Sequence, residues 1–392
     1  MKVLSVNAGS SSLKFSLFEM PEEKELICGV FERIGIDNSF YSLKLNDQKI
    51  KKEISLADHK IAFEILINEL INNNIISSLD EIKGIGHRVV QGGAYFKQSA
   101  LASPDNMRII EELASLAPLH NPPAITGVKA AMEVFKNATQ TLVFDTAFHQ
   151  TIKKENFLYS VPYKWYTDFG VRKYGFHGTS HKYVYSKVNK LIGNDDTKVI
   201  TCHIGNGASI TAIKNGKSIN TSMGFTPNAG LMMGTRSGDI DPTIITYMLK
   251  NKTMTVEELE NVLNKESGFL GISEFSSDSR DIEDGIESGN EKCILAQEMY
   301  VKRIVNYIAK YYVELGGCDA IVFTAGIGEN SIKTRADVIN KLYALGIKLD
   351  KEQNNVRGEE RLISTIDSKI PVYVIPTNEE LIIASDTYAM IK

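Results

Sequence analysis

Val3-Leu-Ser-Val-Asn-Ala-Gly9-Ser-Ser-Ser-Leu-Lys-Phe-Ser-Leu-Phe18 decides the fold, because a second stretch repeats its design half a chain later. That stretch is Val199-Ile-Thr-Cys-His-Ile-Gly205-Asn-Gly-Ala-Ser-Ile-Thr-Ala-Ile213. Each is a short β-branched run, a polar residue, a glycine-centred turn rich in Ser, Asn or Gly, and a second alternating strand. A glycine turn lets backbone N–H groups approach an anion closely, and Ser or Asn side chains add donors. Two such turns facing each other across a cleft would grip a polyphosphate from both sides. The repeat therefore points to a duplicated, two-lobe phosphotransferase rather than to a single nucleotide-binding fold.

The composition agrees with this and narrows it. A chain of 392 residues, 43% hydrophobic and 23% charged, has the make-up of an ordinary globular protein with room for two or three cores. A formal net charge of −4 argues against a general nucleic-acid binder, so any anion site must be a local basic cluster. The 4 cysteines, Cys28, Cys202, Cys293 and Cys318, form no C-x-x-C. Neither a disulfide framework nor a zinc site is expected, and a reducing cytoplasm is. The N-terminal apolar run stops at Asn7, too short for a secretory leader, and no apolar stretch is long enough to span a membrane.

Periodicity orders the rest. Strands are expected at 26–34, 41–46, 82–90, 141–144, 320–324 and 370–375. Helices are expected at 61–72, 106–116, 180–191, 256–263, 293–315 and 381–391. Asn215-Gly216 reads as a type I′ hairpin turn. Gly216-Lys217-Ser218 imitates a phosphate loop, but Thr211 stands where its first glycine belongs and no helix follows. The lobe boundary falls near 147–150, with the last helix returning to the first lobe.

Several constellations can carry chemistry. Asn7-x-Gly-Ser-Ser-Ser-x-Lys14 offers an amide oxygen and a positive charge beside the first turn. Gly205-x-Gly207 lacks the third glycine of a dinucleotide fingerprint. Phe323-Thr-Ala-Gly326-Ile-Gly-Glu-Asn330 reads as a strand, a Gly-x-Gly turn and a helix start, against which a base or phosphate could lie. Arg88 leaves a strand beside Gly92-Gly93, and Arg236 sits between glycines in Gly234-Thr-Arg-Ser-Gly-Asp239. Guanidinium groups fork onto carboxylates and phosphates, although either arginine alone could equally make a structural ion pair. Asp145 ends a strand as a catalytic carboxylate would. His177, between Phe176 and Gly178, could donate to a developing negative charge, while Phe176 in isolation reads as core. In Pro376-Thr-Asn-Glu379-Glu380, Thr377 and Glu380 fit a capping box, which leaves Glu379 available to a metal.

With these motifs in hand, the chain resembles the acetate kinase (acetokinase) family, within the acetate and sugar kinase, heat-shock-protein-70 and actin superfamily. The resemblance runs essentially end to end, through Asn7–Lys14, Gly86–Gly93, Leu116–Pro123, Phe144–His149, Tyr174–Ser180, His203–Gly207, Gly224–Asp239, Ser276–Asp281, Phe323–Asn330 and Pro376–Leu381. It implies an α/β, two-lobe, duplicated ribonuclease H-like (actin-like ATPase) architecture with the active site in the interlobe cleft. Residues 1–148 with 381–392 would form the acyl and phosphate lobe, and 149–380 the nucleotide lobe. The implied reaction is reversible transfer of the ATP γ-phosphoryl group to acetate, giving acetyl phosphate and ADP, in a cytoplasmic homodimer. Magnesium is the implied cofactor, with manganese able to substitute. By the same resemblance Asn7 and Glu379 serve the metal, and Lys14 serves the nucleotide phosphates. Arg88 and Arg236 hold the acyl and phosphoryl groups. Asp145 is the family's catalytic carboxylate, and His177 and Arg236 stabilise the transition state. Val90, Leu119, Phe176 and Pro227 match the apolar pocket for the methyl group. His203, Ile204, Gly205, Asn206 and Gly207 surround ATP, together with Asp278, Ser279, Arg280, Gly326, Ile327, Gly328, Glu329 and Asn330.

Gln91, Asn228-Ala229, Glu274-Phe275 and Ser279 depart from the usual family pattern. Acetate is already ionised in neutral water, so it needs no general base. Asp145 is therefore read as a group that orients substrate or metal-bound water, despite the family's proton-transfer label. The rivals are a propionate or butyrate kinase, separated by pocket size, and a non-enzymatic ATP-dependent clamp. A clamp needs neither two loop arginines nor a small apolar pocket.

Overall fold

The computed structural model describes residues 1–45, 48–118, 120–194, 196–251 and 254–391. The chain divides into two compact units, Met1–Phe148 with Asn378–Lys392, and His149–Thr377. Residues 378–380, assigned to the second lobe by the sequence, belong with the first unit. Asn378 Oδ1 accepts from the Leu381 amide and caps the final helix, and Glu380 pairs with Lys14 of the first unit. The expected Thr377–Glu380 capping box is therefore not formed.

The first unit holds β1 (Lys2–Ala8), β2 (Ser12–Glu19), β3 (Lys24–Glu32), β4 (Phe40–Leu45), β5 (Gln48–Glu53), β6 (Ile82–Val89), β7 (Ala100–Leu101) and β8 (Thr139–Phe144). Their order across the sheet is β5-β4-β3-β2-β1-β6-β8-β7. The second unit holds β9 (Lys198–Ile204), β10 (Ala208–Lys214), β11 (Lys217–Thr221), β12 (Ala320–Thr324), β13 (Arg361–Leu362) and β14 (Val372–Val374), in the order β11-β10-β9-β12-β14-β13. The run β3-β2-β1-β6-β8 and the run β11-β10-β9-β12-β14 share one topology. In each, three antiparallel strands lead to two that run parallel to the first. This is the ribonuclease H-like order, present twice.

The central strands read as nearly continuous apolar runs because both their faces are covered. β12 is buried throughout, and β9 from Val199 to Ile204. In the first unit Phe63, Leu66 and Leu70, from the helix His59–Asn72, join Leu4, Val6, Phe15 and Phe31 in one core. The final helix, Glu379–Ile391, packs on β6 at two glycines. A Cβ on Gly86 would meet the Ile383 carbonyl at 2.9 Å, and one on Gly84 would run into Ile391 and Thr387. Among the described residues no helix is long and apolar enough to cross a membrane.

Several elements go beyond the sequence reading, among them the helices Thr243–Asn251, Ser279–Glu287 and Ile332–Lys341, and three of the differences have a plain physical reason. The edge strand β5, Gln-Lys-Ile-Lys-Lys-Glu, escaped because charge on an edge strand hides its periodicity. The helix Asn121–Val134 was masked by Pro122-Pro123, which occupy its first turn, where no backbone donor is needed. Gly326 and Gly328 lie inside the short helix Ala325–Asn330, which begins directly at the end of β12 rather than after a turn. The hairpin at Asn215-Gly216 has φ of 52° and 74°, the left-handed pair that a type I′ turn requires.

Burial sets an acid limit on this fold. Desolvation pushes His87 and His149 from 6.5 down to about 4, and His181 also lies well below its usual value. Unfolding returns each to its ordinary value, so below pH 6.5 the unfolded chain binds protons that the folded chain refuses. The contribution of these histidines to stability should thus be level above about pH 6.5 and fall as pH drops towards 4, by on the order of 3 kcal/mol for each of His87 and His149. Urea unfolding across that range checks it, and His87→Gln should flatten part of the slope.

Candidate active site

Parallel strands end side by side, so the residues at their carboxyl ends are gathered without further design. In the first unit these are Asn7 on β1, Arg88 and Val90 at the end of β6, and Asp145 immediately after β8. The Asp145 amide donates to the Val89 carbonyl at 3.0 Å and fixes the strand exit. Arg88 Nε and Nη2 then donate to the two oxygens of Asp145 at 3.0 and 2.7 Å. Asp145 is 1% exposed. Burial works against the Arg88 charge, but Asp145 and next Glu379 hold the guanidinium protonated well above its ordinary value. Nη1 takes no part in this pairing. Lys14 lies opposite Asn7 in the β1–β2 register and is ion-paired with Glu380. Glu379 opens the final helix.

In the second unit β9 ends at Ile204, and Gly205-Asn206-Gly207 turns the chain into β10. The turn closes through the Gly205 amide and the Gly207 carbonyl, 3.2 Å apart. A second loop docks on it, with the Gly234 amide donating to the Asn206 carbonyl at 3.1 Å. Any Cβ on Gly207 would lie 3.4 Å from Arg236 Nη1 and 3.7 Å from His177 Nε2, so turn, arginine and histidine converge. His177 caps the helix Gly178–Ile192 in a left-handed conformation (φ 57°) and stacks on His203 with ring centroids 4.0 Å apart. A non-glycine residue held in that region marks a side chain whose direction the surroundings enforce. Arg236 donates to the Pro227 carbonyl at 3.2 Å, and among the described residues no carboxylate pairs with it. Burial alone lowers its pKa.

Beside this point lies a cavity of about 500 Å³, a size within the usual range for small-molecule sites. Of the residues named from the sequence, Asn206, Asp278, Ser279, Arg280, Gly326, Ile327 and Asn330 line it. Gly328 and Glu329 turn away. The Glu329 carboxylate accepts from the Ala325 and Thr377 amides at 2.7 and 3.0 Å, stapling the helix start, while the Gly328 carbonyl accepts from Arg335. Asp278, capping the helix Ser279–Glu287, is lowered to about 2 by Arg280. His203 Nδ1 lies 2.7 Å from Ser180 Oγ. Phe176 is 2% exposed, and its carbonyl receives a bond from His149. Of the expected methyl pocket, Val90 belongs to the first unit, Phe176 and Pro227 to the second, and Leu119 lies outside the described residues.

The sequence reading missed Ser277, Glu283, Ser331 and Arg357 in the cavity wall. It also missed Arg335, fully buried, whose nitrogens donate to the carbonyls of Gly328, Glu329, Asn354 and Val356 and to Asn354 Oδ1. That guanidinium ties the helix Ala325–Asn330 to the loop carrying Arg357. An arginine sharing a helical face with Val338 and Ile339 was the available signal.

A model described as the Acetokinase family matches residues 2–385. An acetate kinase of Geobacillus sp. (strain WCH70) is 52% identical over 387 residues, covering 98% of each chain. The crystal structure of Porphyromonas gingivalis acetate kinase superimposes with a TM-score of 0.95 at 44% identity, covering 100% of both chains. That of a propionate kinase from Francisella tularensis does so with 0.94 at 41% identity, covering 99% of both.

The Arg88–Asp145 pair should show strong coupling. Removing either partner takes the bidentate mate from a buried charge, which typically costs about 3–5 kcal/mol. Removing both should cost at least about 1 kcal/mol less than the sum of the single variants. A double-variant cycle (Arg88→Ala, Asp145→Ala) in urea measures this.

Proposed function

The chain belongs to the acetokinase family, and from that premise we propose that it is a magnesium-dependent acetate kinase that reversibly moves the γ-phosphoryl group between ATP and acetate. The observation that carries the reading is Arg236, a largely desolvated guanidinium with no carboxylate partner among the described residues, beside His177 and a glycine turn. Such a charge is an anion site in waiting.

We assign the acyl groups to the first unit and the nucleotide groups to the second. Arg88, aimed by Asp145, receives the acetate carboxylate. The cavity beside Asn206 takes the nucleoside, and Gly205–Gly207 and Arg236 face its phosphates. An acetate oxygen then forms a bond to the γ-phosphorus while the bond to the ADP oxygen breaks, and no proton need move. His177 and Arg236 meet the charge that spreads over the equatorial oxygens. Asp145, with both oxygens bound by Arg88, acts as an orienting group. For magnesium, Asn7 and Glu379 supply an amide and a carboxylate oxygen, hard donors of the kind it takes alongside phosphates and water. Bound there, the ion would neutralise phosphate charge. Lys14 is proposed to add to that neutralisation, and a cytoplasmic homodimer is proposed as the working form.

The decisive assay is formation of acyl hydroxamate from ATP, hydroxylamine and acetate, propionate or butyrate. Acetate should be preferred; no product with any of the three would overturn the reading. A preference for propionate would instead place the chain with the propionate kinase it resembles.

Arg236→Ala should lower kcat on the order of 10²–10³-fold, because a transition-state charge loses its partner. Arg88→Ala should in addition raise the KM for acetate, since its contact exists in the ground state. Val90→Ala should enlarge the methyl pocket and shift relative kcat/KM towards propionate by up to about tenfold. Steady-state kinetics on both acids checks all three.

A further inference from the structure

Behind His177 lies a closed chain of side chains that the proposed reaction does not itself use. Ser209 Oγ lies 2.9 Å from His177 Nδ1 and 2.8 Å from His181 Nε2, and His181 Nδ1 lies 2.7 Å from Thr201 Oγ1. Thr201, His181 and Ser209 are fully buried. One hydroxyl proton at Ser209 must serve two imidazoles, so it can donate to only one of them. Burial holds His181 neutral, with a single N–H to share between its two neighbours.

Two directions are then open. In one, the Thr201 hydroxyl donates to His181 Nδ1, His181 Nε2–H donates to Ser209, and Ser209 donates to His177 Nδ1. In the other every bond is reversed, and the Thr201 proton needs a different acceptor. Among the described residues Thr201 makes no other side-chain hydrogen bond. The reversed direction therefore strands a buried donor, whereas the first uses every proton and leaves only surplus lone pairs. An unmade donor is the costlier defect.

We infer that Thr201, His181 and Ser209 are positioning residues that fix His177 as its Nε2–H tautomer, so that a neutral imidazole presents an N–H donor towards the Gly205–Gly207 turn. The neighbouring ring has a similar arrangement. His203 Nδ1 rests on Ser180 Oγ, which is 2.9 Å from Thr377 Oγ1. Two rings stacked at 4.0 Å could not both carry a charge cheaply, but both can be neutral donors. The inference rests on the proposed kinase reading for its purpose, not for its geometry.

The test is a two-bond 15N–1H correlation spectrum of the full-length protein labelled at histidine, without substrate, with His177 assigned by its loss in His177→Ala. A protonated Nε2 and bare Nδ1 on His177 are expected. A protonated Nδ1 would overturn the inference, and the wild-type spectrum settles this even if a variant does not fold. Ser209→Ala should give mixed tautomers and lower kcat about tenfold. The KM for acetate and ATP should stay within about twofold, and the substitution should add nothing in a His177→Ala background. Unchanged His177 signals in Ser209→Ala, or an equal loss of kcat in both backgrounds, would overturn it as well. Because the tautomer is read without turnover, it can fail while the hydroxamate assay succeeds, and the reverse.

Discussion

A guanidinium that has lost most of its water and gained no carboxylate is an expensive thing to build, and among the described residues Arg236 is one. It persists because its surroundings cannot relax around it. Its loop is held to the Asn206 turn by a backbone bond, and Gly234 has no space for a side chain, since a Cβ would press on Asn206 and on the Ser277 carbonyl at 3.0 Å. The turn in turn hangs from two buried strands. The rigidity of the second sheet therefore keeps this positive charge in place without a carboxylate among the described residues, and under the proposed reaction the donors around it would need no reorganisation when an anion arrives. Arg88 is the contrasting case. Its charge is matched by Asp145, and what the fold fixes there is direction.

The central strands and most of the long helices were legible because alternation and apolar periodicity report burial, and burial is what orders this chain. The false phosphate loop at Gly216-Lys217-Ser218 was also legible, from its place in a hairpin. Ser218 in fact serves as a partner of His149 at 2.9 Å. Legibility stopped where tertiary contact decided the outcome. The final helix takes Asn378 as its cap, while Glu380 pairs with Lys14 and the Thr377 hydroxyl with Ser180, both residues far away in sequence. Nothing local could report those pairings.

The nucleotide-side residues show the same limit at finer grain. Glycine-rich strings marked the region, and seven of the named residues line the cavity, but the strings could not say which side chains point inward. Glu329 looked like a pocket residue and instead closes the first turn of its own helix, where three donors await an acceptor. Arg335 lay outside every motif, yet it holds the cavity wall by satisfying carbonyls that the short helix and its neighbouring loop leave open. Buried polar groups of this kind are chosen by unpaired backbone atoms, which exist only once the fold does.

The two copies of the ancestral design have also diverged in a physically coherent way. The first turn is sealed, its Gly9 carbonyl bonded to His59 at 2.9 Å and its amide to Ser12. The strand ends beside it carry matched charges, Arg88 with Asp145 and Lys14 with Glu380. The second copy carries hydroxyls and imidazoles beside its turn, and a docked loop brings in Arg236, which among the described residues has no carboxylate partner. Matched charges can hold an acetate in a fixed direction without attracting every anion in solution. Unmatched charge and neutral donors suit a polyphosphate that brings its own metal. A duplication whose halves share a topology but not an electrostatic sign balance is what a two-substrate phosphoryl transfer asks of its protein, since the acceptor must be aimed while the donor must be neutralised.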